Sequence, residues 1–303
     1  MVSDTPARNG DASSVIDAFL GAGPGNLPLS YERLHIDVSG PESAHPVVVL
    51  HGWGSSARLM SPVAATLSSD FFVHNIDMPG HGLSPQPPAP CGLEEQASLV
   101  RQYIEDKLSP PVILFGHSNG GRIGLYLASR PDTAHLIDKL VLVSPSGIRP
   151  NRGPAYYFKS NLAKLLKLPT RFLWGRFKEH VMDWLTHSLV WKMLGSSDYN
   201  ALTGTMRQSF VATVNFHVDD MIRNINCPTL IFWGDKDTAV SLRQMQKLES
   251  GIADCGLVIL KGAGHYGYLD QPGVVMAATR HFLGAGDANE AVRDAASAAA
   301  SAT

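Results

Sequence analysis

Six short apolar runs recur along the chain: Val47–Leu50, Phe71–Ile76, Val112–Phe115, Leu140–Val143, Thr229–Trp233 and Leu257–Leu260. Most show little polar alternation, the pattern of strands covered on both faces. Stretches with apolar residues at helical spacing separate many of them: Ala57–Ser68, Leu93–Leu108, Gly120–Arg130, Ser241–Glu249 and Pro272–Phe282. Strand–helix alternation predicts an α/β fold, a mostly parallel, doubly wound sheet with helices on both faces. Upstream, Tyr31–Val38 alternates polar and apolar and predicts an antiparallel edge strand.

The rhythm breaks between Gly147 and Asn226, where apolar positions keep helical spacing and no strand is evident. The stretch is too long for a loop and reads as a helical insert, residues 147–226, between two strands of the sheet. The core then comprises residues 31–146 and 227–283. Residues 1–30 and 284–303 are rich in small and polar types, so both are expected to be flexible.

Composition narrows the function classes. The 303 residues carry 25 basic and 27 acidic side chains. That balance gives no case for a nucleic-acid partner, which calls for a strongly basic domain. Three cysteines, Cys91, Cys227 and Cys255, stand at scattered positions without a CxxC pair. They form no disulfide framework, and a cytoplasmic setting is expected. No signal-peptide pattern and no long apolar span is present, so no stable membrane insertion is expected. Gly21-Ala-Gly-Pro-Gly25 follows no strand and reads as a linker rather than a phosphate-binding turn.

The candidate chemistry gathers after the predicted strands. Gly116-His-Ser-Asn-Gly120 is a G-x-S-x-G turn with a strand before it and a helix after it. Only small residues fit around a turn that tight, and Ser118 then stands at a helix N-terminus as a candidate nucleophile. His51-Gly-Trp-Gly54 follows the run Val47–Leu50. Its glycines let backbone N–H groups approach a developing oxyanion, with Trp53 and Asn119 as the candidate donors. The His51 side chain itself reads as structural. Gly234-Asp-Lys-Asp237 follows another strand, and Asp237 is the candidate acid; Asp235 reads as a loop cap. His265, in the loop after the last strand, is the candidate base.

These pieces together resemble the α/β-hydrolase superfamily, in its capped, lipase- and esterase-like serine hydrolase branch. The resemblance rests on His51–Gly54, Asp77-Met-Pro-Gly-His-Gly-Leu-Ser84, Gly116–Gly121, Gly234–Asp237 and Gly264-His265, and covers roughly Pro46–Phe282. It implies a Ser118–His265–Asp237 triad, an oxyanion hole of the Trp53 and Asn119 N–H groups, a helical cap, and no cofactor or metal. Asp77–Ser84 corresponds to a structural loop. Serine at position 118 disfavours epoxide hydrolases and haloalkane dehalogenases, which carry aspartate there. Gly54-Ser-Ser56 lacks the Gly-Pro-Gly of many C–C bond hydrolases, and the Gly-Gly-Pro signature of proline iminopeptidases is absent too. The loop His51–Gly54 is similar to that of the pimeloyl-carrier methyl ester esterases.

The expected activity is hydrolysis of a carboxylic ester or related acyl bond of a small or lipid-like substrate. C–C bond hydrolysis, haloperoxidase or perhydrolase chemistry, and a non-catalytic ligand-binding role are the alternative readings. The insert concentrates positive charge from Arg149 to Lys192, opposed only by Glu179 and Asp183. Solvated lysines on a packed cap helix account for this. Alternatively, Lys159, Lys164 and Lys167 form a basic surface for transient contact with an anionic or lipid-like substrate.

Overall fold

A computed structural model describes residues 29–150 and 202–285 of the chain. Its centre is a seven-stranded sheet in the order β1-β3-β2-β4-β5-β6-β7. The strands are β1 (Ile36–Ser39), β2 (Pro46–Leu50), β3 (Phe72–Ile76), β4 (Val112–His117), β5 (Ile137–Val143), β6 (Thr229–Gly234) and β7 (Cys255–Leu260). Only β1 is antiparallel, paired with β3 at the sheet edge; every other pairing is parallel.

The edge departs from expectation in one detail. Tyr31–Arg33 is a 3-10 turn, and the strand begins only at Ile36. Two bonds account for it: Ser30 Oγ accepts the Glu32 N–H, and the buried Tyr31 donates its hydroxyl to Asp106, 75 residues away. Both bonds hold this segment in a turn.

The described α-helices are α1 (Ala57–Leu67), α2 (Leu93–Lys107), α3 (Asn119–Ser129), α4 (Gly204–Asn215), α5 (Leu242–Gly251), α6 (Gly267–Asp270) and α7 (Pro272–Leu283). Side chains alternate across each strand, so two cores form. Val48, Leu50, Leu114, Leu142 and Trp233 pack with α2, α3 and α5 residues such as Val100, Ile123 and Met245. Val47, Val49, Ile113, Phe115 and Phe232 pack on the other face with Met60 and Leu67 of α1 and Val275 of α7. Proline starts α7 and Gly284, at φ 75°, ends it, as helix-terminus chemistry favours. The four-residue α6 carries no periodic signal and was not anticipated.

The order of strand addition reverses at β2. From there β3 lies on one side, and the chain then crosses back to β4 on the other. A crevice opens at such a point beyond the carboxyl ends of the strands. The turns holding Trp53 and Ser118 flank it.

The proposed cap falls mostly outside the described residues: 151–201, with Lys159, Lys164 and Lys167, belong there, as do residues 1–28 and 286–303. The described remainder of the insert contains α4 and a 3-10 turn, Ile222–Asn224. None of the described helices is long and apolar enough to cross a membrane.

Candidate active site

Ser118 sits between β4 and α3 with φ 49° and ψ −105°, a conformation that costs an L-residue about 1–3 kcal/mol. The surroundings hold it there. Its N–H donates to Val143 O, and its carbonyl accepts from Arg122 N–H and Ser146 N–H. The flanking glycines are sterically required. A Cβ at Gly120 would lie 2.2 Å from Leu50 O, and one at Gly116 would lie 2.6 Å from Gly121 N. The serine is half-buried while the rest of the turn is fully enclosed.

The His51–Gly54 turn presses against this one. Gly120 N–H donates to His51 O at 3.1 Å. A Cβ at Gly52 would come within 3.2 Å of Ser118 Cβ, so the two turns are in direct contact. Trp53 therefore lies in the loop beside Ser118, and Asn119 is the first residue of α3, where an N–H has no partner within the helix. His51 is structural, as read from the sequence. It is buried, its Nδ1–H donates to Gly52 O, and its Nε2 accepts the Met78 N–H. Burial, aided by the nearby His81, lowers its pKa to about 4, so the ring is neutral. Asp77 likewise holds backbone together, accepting from Ala57 N–H and Leu83 N–H.

Asp237 and His265 meet across the ends of β6 and β7. His265 Nδ1–H donates to Asp237 Oδ2 at 2.9 Å. Asp237 Oδ1 accepts from Ala239 N–H and Val240 N–H, and Trp233 Nε1–H closes the loop by donating to Val240 O. Burial pushes the Asp237 carboxyl up, but the His265 bond and charge and the Val240 N–H outweigh it, so the net shift is downward. The Asp237 side chain is fully buried, whereas His265 is 20% exposed. Asp235 points elsewhere: it is exposed and accepts the Gly262 N–H, bracing the loop after β7.

His117, the residue before Ser118, contacts His265. The two imidazole centroids of His117 and His265 are 4.9 Å apart, and His117 Nε2–H donates to the His265 carbonyl at 3.0 Å. His265 Nε2 and Ser118 Oγ do not form a closed hydrogen bond. Such bonds commonly tighten only when substrate binds. Sequence reasoning missed His117. It is buried against Tyr266 and Tyr268, with burial first and His265 second lowering its pKa to about 3. Its position between Gly116 and Ser118 was the sole signal, and that signal does not reveal a carbonyl 148 residues away.

Among the described residues no cluster of His, Cys, Asp and Glu could hold a metal ion.

A family model described as alpha/beta hydrolase fold matches residues 45–272. The chain belongs to the α/β-hydrolase family. Pimeloyl-acyl-carrier protein methyl ester esterase of Chromobacterium violaceum is 26% identical over 233 residues, covering 74% of this chain and 88% of that protein. Among solved structures, the enol-lactonase of Burkholderia xenovorans LB400 matches with a TM-score of 0.61 at 21% identity, over 82% of this chain and 96% of that one. A thermophilic esterase of Thermogutta terrifontis matches with a TM-score of 0.59 at 21% identity, over 82% and 92%. Both similarities establish the fold.

Proposed function

We propose that this α/β-hydrolase cleaves carboxylic esters of small or lipid-like acyl substrates through an acyl-enzyme. The observation that carries the reading is the Asp237–His265 hydrogen bond set beside a strained serine at a helix N-terminus. Ser118 Oγ attacks the carbonyl carbon as its proton passes to His265 Nε2. Asp237 keeps the imidazole in the tautomer with Nδ1–H and stabilises the imidazolium. Trp53 N–H and Asn119 N–H receive the tetrahedral oxyanion; in measured cases a donor of this kind is worth about 3–4 kcal/mol. The imidazolium returns the proton to the departing alkoxide, leaving an ester on Ser118. Water, deprotonated by His265, then releases the acid. The 26% identical relative named for a methyl ester supports an acyl–oxygen bond as the target.

A panel of p-nitrophenyl esters of rising acyl length, with lactone and amide controls, tests this. Turnover of esters that disappears in Ser118→Ala is expected. Turnover of none of the panel by a folded protein would overturn it.

A further inference from the structure

One buried amide connects helix α4 to the residue that follows Ser118. Gln96 lies on α2 and is almost fully enclosed. Its Oε1 accepts from Asn119 Nδ2 at 2.8 Å. Its Nε2 donates to Thr213 Oγ1 at 2.9 Å and to Cys91 O at 3.0 Å. A carbonyl can only accept, so the Cys91 bond fixes which end of the amide faces which partner. Both donors and the acceptor of Gln96 are thus engaged, and no alternative rotamer of the amide satisfies the same set.

Helix α4 makes further contacts with the core. Ser209 Oγ accepts the Cys91 N–H at 2.8 Å, and Arg122, one turn into α3, donates to Thr213 O. Phe210 meets the indole of Trp53 edge-on, with centroids 5.2 Å apart. Both candidate oxyanion donors therefore belong to residues whose side chains are anchored toward α4: Trp53 directly, Asn119 through Gln96. Asn119 is buried, and its side-chain amide is taken up by Gln96.

We infer that Gln96 is a positioning residue for the Asn119 oxyanion N–H, itself fixed by its bonds to Thr213 of α4 and to the Cys91 carbonyl. This deepens the proposed function and rests on it. A buried network with every member satisfied holds geometry tightly, and displacement of a catalytic group by about 1 Å can cost about a hundredfold in rate.

The test compares Gln96→Met, which keeps length but loses all three bonds, with Ser209→Ala, which loosens α4 without touching the Gln96–Asn119 bond. Gln96→Met should lower kcat on a short p-nitrophenyl ester about 10- to 50-fold with KM within about twofold. Its affinity for a trifluoromethyl ketone, which forms a tetrahedral oxyanion adduct, should fall in parallel. Ser209→Ala should keep kcat within about twofold even where its Tm falls as far. Asn119→Ala cuts the same link from its other end and should repeat the kcat loss, so the proposal stands or falls even where Gln96→Met does not fold. Folded variants at Gln96 or Asn119 with kcat within twofold, or Ser209→Ala as slow as the others, would overturn it. Fluorophosphonate labelling of Ser118 in the wild type separates the two levels. Labelled Ser118 with unaffected variants overturns only the Gln96 link; unlabelled Ser118 overturns the serine mechanism as well.

Discussion

The turns after β4 and β5 place serines at nearly the same positive φ. Ser118 has φ 49° and Ser144 has φ 46°, and these are the described non-glycine residues with positive φ. Their settings differ in every other respect. Ser118 opens a helix, is half-exposed and lies against a glycine-rich turn. Ser144 precedes Pro145, is wholly buried, and its hydroxyl has no hydrogen-bond partner of good geometry, although it lies near enough to Asp237 to help lower that carboxyl. Strain alone therefore does not mark a nucleophile. Access and a helix N-terminus are what set Ser118 apart from Ser144.

Breaking the comparison at Ser118 should have the largest effect. Ser118→Ala should lower kcat on the order of a million-fold while the folding transition is kept, measured by ester turnover and thermal melting. Next comes the acid. Asp237→Asn should cost about ten-thousand-fold because the imidazole would then be held in the wrong tautomer, whereas Asp235→Asn should change kcat/KM little. The reverse ranking would transfer the role to Asp235.

Ser144→Ala sharpens the contrast from the other side. Losing one weak interaction with Asp237 corresponds to about 1 kcal/mol, so kcat/KM should fall by less than about tenfold. A loss approaching that of Ser118→Ala would make Ser144 part of the machinery.

The smallest effect near neutrality concerns acid stability. His51 and His117 are buried and neutral, with pKa values lowered to about 4 and about 3. Below the unfolded value of about 6.5 the unfolded chain binds protons that the folded chain refuses, so stability falls as pH drops. Each ring contributes a slope of up to about 1.4 kcal/mol per pH unit until its folded pKa is reached. Melting curves from pH 7 to 4 should show this, and His117→Asn should flatten it where it folds. A Tm unchanged over that range would contradict neutral burial.

Much of this was legible in the sequence, for a physical reason. Runs such as Val47–Leu50 and Val112–Phe115 must be strands because only a doubly covered sheet buries them so completely. Gly116 and Gly120 announce the turn around Ser118 because no side chain fits there. The preference for Asp237 over Asp235 followed from its place farther beyond β6, where the resemblance to the family's Gly-x-x-Asp pattern sets the acid, and the geometry sets Asp237 on His265 and Asp235 on a loop amide. What stayed hidden was long-range and polar. The Gln96–Thr213 bond joins residues 117 apart, and no periodicity encodes which buried amide meets which hydroxyl. Tyr31–Arg33 misled because its alternation fits a strand, while a local bond to Ser30 and a long-range bond to Asp106 favour a turn.

The central claim is that Ser118, made reactive by His265 and Asp237, carries the acyl group. Intact and peptide mass spectrometry after brief exposure to a fluorophosphonate tests it most directly. One adduct on the peptide containing Ser118 is expected, forming orders of magnitude more slowly in His265→Ala and Asp237→Asn. An adduct at Ser144 or elsewhere, or a Ser118 labelling rate indifferent to His265→Ala, would contradict it.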